Sequence, residues 1–196
     1  MVNITRTEQK IQTKQKIFDA AVTLINENGY RNVSIKDIVN KAAVSTGTFY
    51  VHFKSKQDIV SQSYYENLNQ FMRKNTPPTT DSAIDQLLTL LDLEFQFAES
   101  TGVELTTLAF ITNLDTNLSQ PGSHFSKRTF TATIRLQIQR AVTDGIIKLP
   151  SENLFFLQLE SLVRGVMVSW CFANGTFGIT DTGHEMALRL INTYRV

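Results

Sequence analysis

The stretch SIKDIVNKAAVSTGTFYVHFKSKQD, Ser34 to Asp58, contains two helix starts separated by twenty residues. Ser34 is followed three positions on by Asp37, and Ser55 by Asp58. In each pair the hydroxyl can accept from one free N–H of a first helical turn while the acid accepts from another, so both serines predict helix N-termini. The space between them holds only two very short helices and their turns. Ile35, Ile38, Val39 and Ala42 form the inner face of the first, and Val44, Phe49 and Phe53 face back from the turn and the second. A tight helical pair follows, with Lys41 to Ser45 as its turn.

Upstream, Ile17, Ala20, Ala21, Leu24 and Ile25 recur at helical spacing over Gln12 to Asn28, and Gly29 stands at the C-terminal cap position. Downstream, Ile59, Tyr64, Leu68 and Phe71 predict a longer helix from Ser55 to Asn75, whose Arg73 and Lys74 complement the negative end of its dipole. Thr76-Pro77-Pro78-Thr79-Thr80 breaks it and marks the boundary to a second domain. From Asp81 a stripe of Ile84, Leu87, Leu88, Leu91, Phe95 and Ala98 runs to Ser100-Thr101-Gly102. Further helices fit Val103 to Asn117, His124 to Asp144, Ser151 to Asn174 and Thr182 to Arg195, interrupted at residues 119–122, 145–150 and 175–180. No segment alternates as a strand would. The expectation is an all-α chain of about nine helices: residues 1–54 as a helix-turn-helix domain, 55–75 as a connecting helix, and 76–196 as a C-terminal helical bundle.

The 196 residues suffice for a real core, and the composition, 42% hydrophobic and 19% charged, is that of a globular protein, which excludes disordered and fibrous classes. No secretory signal and no unbroken apolar stretch of eighteen residues is visible, so a soluble cytoplasmic protein without a membrane span is expected. The lone Cys171 can form neither an intrachain disulfide nor a cysteine zinc site, and reads as a core thiol. The net charge of +1 conceals a split: residues 1–75 carry eleven Lys or Arg against six acids, and the remainder eight against twelve. That asymmetry directs the first part toward a polyanion.

In a helix-turn-helix the second helix enters the major groove while the first braces it across the backbone. Ser45 can cap that second helix, and Gly47 lets its backbone approach a partner without an intervening side chain. Thr46, Thr48, Tyr50 and His52 supply hydrogen-bonding groups, with Lys36, Lys54 and Lys56 nearby for phosphates. Lys10, Lys14 and Lys16 make a further basic edge, equally well explained as solvated charge.

The run Gly29-Tyr30, Val33 to Ile38, Ala42 to Ser45, Gly47 to Tyr50, His52-Phe53 and Ser55-Lys56, preceded by Ile17-Phe18-Asp19-Ala20-Ala21, resembles the N-terminal DNA-binding domain of the TetR family. The likeness covers roughly the first sixty residues in order and spacing. It implies that Thr48, Tyr50 and His52 face an operator, that Ser34 and Lys56 touch phosphates, and that the protein acts as a homodimer on a palindromic site. One position departs: Ala43 stands where the family usually has Gly. With a positive φ there, Ala costs up to ~1 kcal/mol relative to Gly, which predicts a slightly altered turn.

In the family the C-terminal bundle binds a small-molecule effector and makes the dimer. Nine of the thirteen Phe and the single Trp follow Glu94. Phe95, Phe110, Phe130, Trp170 and Phe172 are candidate pocket aromatics, with Glu94 or Arg135 as orienting groups for a hydrophobic or aromatic effector; core packing would require the same residue types. The nearly all-apolar helix from Leu154 to Phe172 must be buried on more than one side. Leu159, Leu162, Val163 and Val166, with Leu188, Ile191 and Tyr194 of the last helix, are the expected dimer contacts, Gly165 permitting close approach. The functional expectation is a ligand-released repressor; an activator, or a regulator controlled by a protein partner, is the alternative. An enzyme is not expected: no H-E-x-x-H, P-loop or G-x-S-x-G motif occurs, and His52, His124 and His184 are far apart, with no metal or cofactor site implied.

Overall fold

A computed structural model describes residues 5–78, 82–119 and 128–196. Within them the chain forms nine α-helices: α1 (Arg6–Asn28), α2 (Ile35–Lys41), α3 (Thr46–His52), α4 (Lys56–Asn75), α5 (Ala83–Thr101), α6 (Val103–Ser119), α7 (Thr131–Thr143), α8 (Glu152–Phe172) and α9 (Ile179–Asn192). A 3₁₀ turn, Tyr30–Asn32, joins α1 to α2. The expected starts at Asp81 and His124, and most of the break at 119–122, lie outside the described residues.

Helix α1 begins six residues earlier than its apolar pattern indicates. Thr5 Oγ1 accepts from the Glu8 N–H (3.2 Å), and the Glu8 carboxylate accepts from the Thr5 N–H (2.7 Å). This capping box carries the helix through two exposed, polar turns that contribute nothing to the core. The Ser34–Asp37 box forms with both bonds present. The Ser55 box is half made: Ser55 Oγ accepts from the Asp58 N–H (3.1 Å), but the Asp58 carboxylate reaches past it to the Lys54 N–H (2.7 Å) and to Ser61 and Gln62.

The α2–α3 turn keeps its left-handed residue. Ala43 has φ 53°, the Val44 N–H donates to the Val39 carbonyl (3.0 Å) and the Ala43 N–H to that of Asn40 (3.2 Å). This is the double bond pattern of a Schellman cap with alanine in place of the usual glycine. The turn is therefore not altered to suit Ala43; the residue bears the strain. Phe49 and Phe53 are fully buried behind it, with Ile38, Val39, Ile17, Phe18, Ala21 and Ile25.

Helix α4 belongs to both cores. Ile59 and Val60 near its start, and Tyr64, Leu68 and Met72 beyond them, are all buried, and the helix packs on α1, α5 and α6. Gly102, between α5 and α6, has φ 89°, and a Cβ there would lie 2.0 Å from Asn26 Oδ1, so the C-terminal part abuts the end of α1 without a side chain between. Helix α9 packs on α5 and α8, and α7 on the same two. A Cβ at Gly183 would fall 2.2 Å from the Phe95 ring, which fixes how closely α9 approaches α5. The chain end is pinned by Lys148 N–H to Tyr194 O (2.9 Å) and Val196 N–H to Ile146 O (3.2 Å).

Replacing Ala43 by Gly removes the αL penalty at the turn. The substitution should stabilise the protein by about 1 kcal/mol, raising Tm by about 2–4 °C for a chain of this size. Thermal unfolding followed by circular dichroism checks it; an unchanged or lower Tm contradicts the assignment of strain to this residue.

Candidate nucleic-acid interface and effector cavity

Helix α3 shows which side of the helix-turn-helix is left for a partner. Ser45 Oγ accepts from the Thr48 N–H (3.0 Å) and lies 2.8 Å from Thr48 Oγ1, so both hydroxyls are engaged in the cap. Phe49 points into the core, and the Tyr50 ring meets it edge-on at 5.4 Å while remaining 56% exposed. The outward stripe consists of Thr46, Gly47, Tyr50 and Val51, continued by Lys54. Thr48 and His52 lie on its half-buried flank, not on the exposed face expected for them. The reason is geometric: positions 46, 48, 50 and 52 follow a two-residue period, whereas a helix turns 100° per residue and places 46 with 50 and 47 with 51 on one side. Val51, 74% exposed, is the face residue that reading by polarity passed over.

The remaining expected contacts divide. Lys36 and Lys54 are exposed, and Ser34 is exposed but bonded to Asp37. The Lys56 ammonium donates to the backbone carbonyls of Tyr30 and Val33 and sits 4.0 Å from the centroid of the Tyr30 ring. Those contacts brace the 3₁₀ turn and compete with a phosphate for the same group. Burial, and then Lys10 and Lys14, push the His52 imidazole below its usual pKa, so near neutral pH it can give a phosphate a hydrogen bond but not a positive charge. Its Nδ1 is buried without a hydrogen-bond partner among the described residues.

Gly47 is informative because nothing inside the protein requires it. Its φ is not in the left-handed region, it is exposed, and a Cβ added there would meet Ser45 Oγ first, at 3.7 Å, an ordinary contact. Gly47 is the second residue of α3, where glycine still leaves the chain more backbone freedom to lose than alanine would. The described residues give it no packing role.

In the bundle, a cavity lies between α4, α5, α6 and α8. Its walls include Tyr64, Tyr65, Phe97, Phe110 and Met167, with Glu94 and Arg128 at its polar end. The empty volume is about 420 Å³, but only about 30 Å³ is open to the centres of water molecules. As it stands, the cavity holds a water or two and not a drug-sized molecule. Of the expected pocket residues, Glu94 and Phe110 line it. Phe95 and Trp170 are buried elsewhere in the core, Phe130 packs under the Arg128 guanidinium at 4.7 Å, and Arg135 is exposed, bonded to Asn153 and stacked 3.7 Å over Phe156. Phe172 is 88% exposed and cannot belong to the cavity.

The polar end holds a buried ion network that includes a residue the sequence did not single out. Arg128, just ahead of α7, donates to both oxygens of Glu94 on α5 (2.6 Å each) and to Glu160 on α8 (2.5 Å). Arg164, one turn along α8, donates to the same Glu160 oxygen (2.6 Å). Burial drives the Glu94 carboxyl up to about 7, against the opposing pull of Arg128. Burial also pushes Glu160 up, but Arg128 and the hydrogen bonds from both arginines outweigh it and leave that carboxyl below its usual range. Arg128 carried no sequence signal, since both its carboxylate partners are more than thirty residues away, and the i,i+4 spacing of Glu160 and Arg164 reads as an ordinary helix-surface pair.

The expected dimer contacts turn inward. Leu159, Val163, Val166 and Ile191 are buried in the protein's own core, and Leu162 and Leu188 pack against it. Tyr194 meets Phe155 at 5.2 Å and donates its hydroxyl proton to Gln158 (3.0 Å). The opposite side of α8 presents Leu154, Leu157, Gly165 and Phe172, beside Met186 of α9. The all-apolar appearance of α8 hid which side the monomer already uses. Although α8 is long and apolar enough to cross a membrane, Glu160 and Arg164 are ion-paired on it and it packs on α5, α6, α7 and α9.

Residues 17–62 match the family model described as bacterial regulatory proteins, tetR family. Its N-terminal segment is thus of the TetR type. The fatty acid metabolism regulator protein of Bacillus subtilis is 32% identical over 108 residues, 55% of each chain, and the biofilm operon negative transcriptional regulator IcaR of Staphylococcus aureus is 36% identical over 87 residues, 43% of this chain and 46% of its own. These matches thus span about half the length of the curated relatives. Among solved structures, the fatty acid degradation regulator FadR of Bacillus halodurans superposes with TM-score 0.64 at 22% identity, covering 91% of this chain and 94% of its own. A TetR transcription regulator from Haloarcula marismortui gives TM-score 0.72 at 14% identity over 95% of this chain and 100% of its own. The all-helical fold is thus shared along nearly the whole length of the chain.

Substituting Gly47 by Ala separates the two roles of α3. The variant should unfold at a slightly higher temperature, yet bind its DNA about tenfold more weakly or worse, a loss of ~1.4 kcal/mol. Thermal unfolding and fluorescence anisotropy on the same preparation check it; unchanged affinity would remove close backbone approach as the reason for the glycine.

Proposed function

We propose that this chain is a cytoplasmic, ligand-responsive transcriptional repressor that binds a palindromic operator as a homodimer. The observation that carries the reading is the outward face of α3, where Thr46, Gly47, Tyr50 and Val51 are exposed, with Lys54 following them and Lys36 exposed on α2. Tyr50 and Thr46 provide the base-edge contacts and the lysines the phosphate anchors. The negative regulation named for IcaR supports repression in preference to activation.

Pairing uses the outer side of α8 and α9. Leu154, Leu157 and Phe172 are large apolar residues left exposed, and Gly165 has nothing among the described residues within 4 Å of a Cβ position, so a second α8 can cross there closely. The effector enters the cavity against Tyr64, Tyr65 and Leu68, which are α4 residues. Because the cavity is nearly full, an occupant must displace that wall. Helix α4 begins directly after α3, so the displacement moves the reading heads relative to each other. Linkage then requires that operator weaken effector binding by the same factor.

Selection from a random DNA pool at low salt tests the function. A palindrome whose half-site centres lie about 34 Å apart should be enriched, with affinity falling steeply as salt rises; failure to enrich any such site contradicts the proposal. For the dimer, Leu157→Glu should yield a monomer in sedimentation with a nearly unchanged Tm, and an intact dimer would contradict the assigned face. Val166→Glu would instead charge the protein's own core.

A further inference from the structure

The ion network at the end of the cavity is built asymmetrically. Both carboxylates stand on core helices, Glu94 on α5 and Glu160 on α8, and are almost completely buried. The cation that joins them, Arg128, comes from a non-helical residue ahead of α7. Arg164, on α8, is bonded to Glu160 on the other side, whereas Glu94 is bonded in this network by Arg128. Anionic groups are thus held on core helices, while the guanidinium between them comes from Arg128, a non-helical residue. The rest of the wall suits a cation too: Tyr64, Tyr65, Phe97 and Phe110 present aromatic rings, whose faces attract positive charge.

Charge counting points the same way. With Arg128 in place the two carboxylates and two guanidiniums are balanced. If Arg128 swings out, Arg164 is the cation that remains on these carboxylates among the described contacts, and a ligand bearing one positive charge can take the guanidinium's place beside Glu94. Removal of the guanidinium also opens the space that the cavity lacks.

We infer that the effector is a monovalent organic cation with an apolar or aromatic body, which binds by replacing the Arg128 guanidinium against Glu94. Arg128 is the internal occupant of this site, holding it closed when the ligand is absent. The inference rests on the reading of the cavity as the effector site.

Calorimetric titration of the full-length protein with benzyltrimethylammonium, 4-phenylbutyrate and neopentylbenzene tests it, the last being the neutral isostere of the cation. The cation should bind at least tenfold more tightly than the other two. Arg128→Lys, which keeps a charge but cannot bridge both carboxylates, should bind the cation several-fold more tightly, and Glu94→Gln should lose that binding. Preferential binding of phenylbutyrate or the neutral isostere, or no binding of the cation, overturns the inference, as does weaker cation binding in a folded Arg128→Lys variant. Should Arg128→Lys fail to fold, the wild-type probe series and Glu94→Gln still decide. DNA binding measured on the same wild-type preparation distinguishes the two levels: a protein that binds its operator but not the cation remains a regulator with another effector class.

Discussion

Helix α4 is the constraint on which the rest of the molecule depends. Its first turns close the core behind Phe49 and Phe53, and its later turns supply Tyr64, Leu68 and Met72 to the bundle, so neither part can move independently of it. Interiors are close-packed, and displacement of a buried helix propagates as a shift of its neighbours and not as a local dent. Two contacts reinforce the link beside α4. Gly102 lets the α5–α6 corner sit directly on Asn26, and the Glu104 carboxylate at the start of α6 accepts from the Tyr30 N–H in the turn before α2. The Tyr30 carbonyl in turn accepts from Lys56 at the start of α4. The helix-turn-helix is therefore held to the bundle at both ends of its own sequence.

Much of this was legible because it is local. Ser34 with Asp37, the turn at Ala43, the buried phenylalanines and the stop at Asn75 all depend on residues within one or two helical turns, and the spacing of such residues is visible in the chain. The face of α3 was half legible. Polarity selected Thr48 and His52, but helical rotation sets them on the flank and brings out Val51. The start of α1 was missed even though Thr5 and Glu8 spell a capping box, because its first turns carry little apolar signal. In α8 the opposite problem arose: apolar residues surround the helix, and nothing in their order tells the side packed on α5 from the side left open.

The ion network was invisible for a different reason. Arg128, Glu94 and Glu160 are brought together from three separate places in the chain, and although Glu94 is a candidate polar group by sequence, nothing in the order of residues pairs it with Arg128. Buried ion pairs are weak evidence for stability, since desolvation offsets most of their attraction and apolar residues of similar volume would serve the core as well. They stand at the polar end of the cavity that Tyr64, Tyr65, Phe97 and Phe110 line, and the proposed effector role gives them a reason that folding does not. Tyr64 and Tyr65 belong to α4, the helix that also closes the core behind α3.

The pairing geometry joins these parts and can be measured directly. Spin labels attached at Glu27→Cys, an exposed position of α1 outside the proposed DNA contacts, in a Cys171→Ser background report the separation of the two DNA-binding segments by double electron–electron resonance. With operator bound, a single narrow distribution is expected, because half-sites about 34 Å apart fix that separation. A broad distribution unchanged by DNA, or the absence of any intermolecular distance, would contradict a homodimer that reads two half-sites.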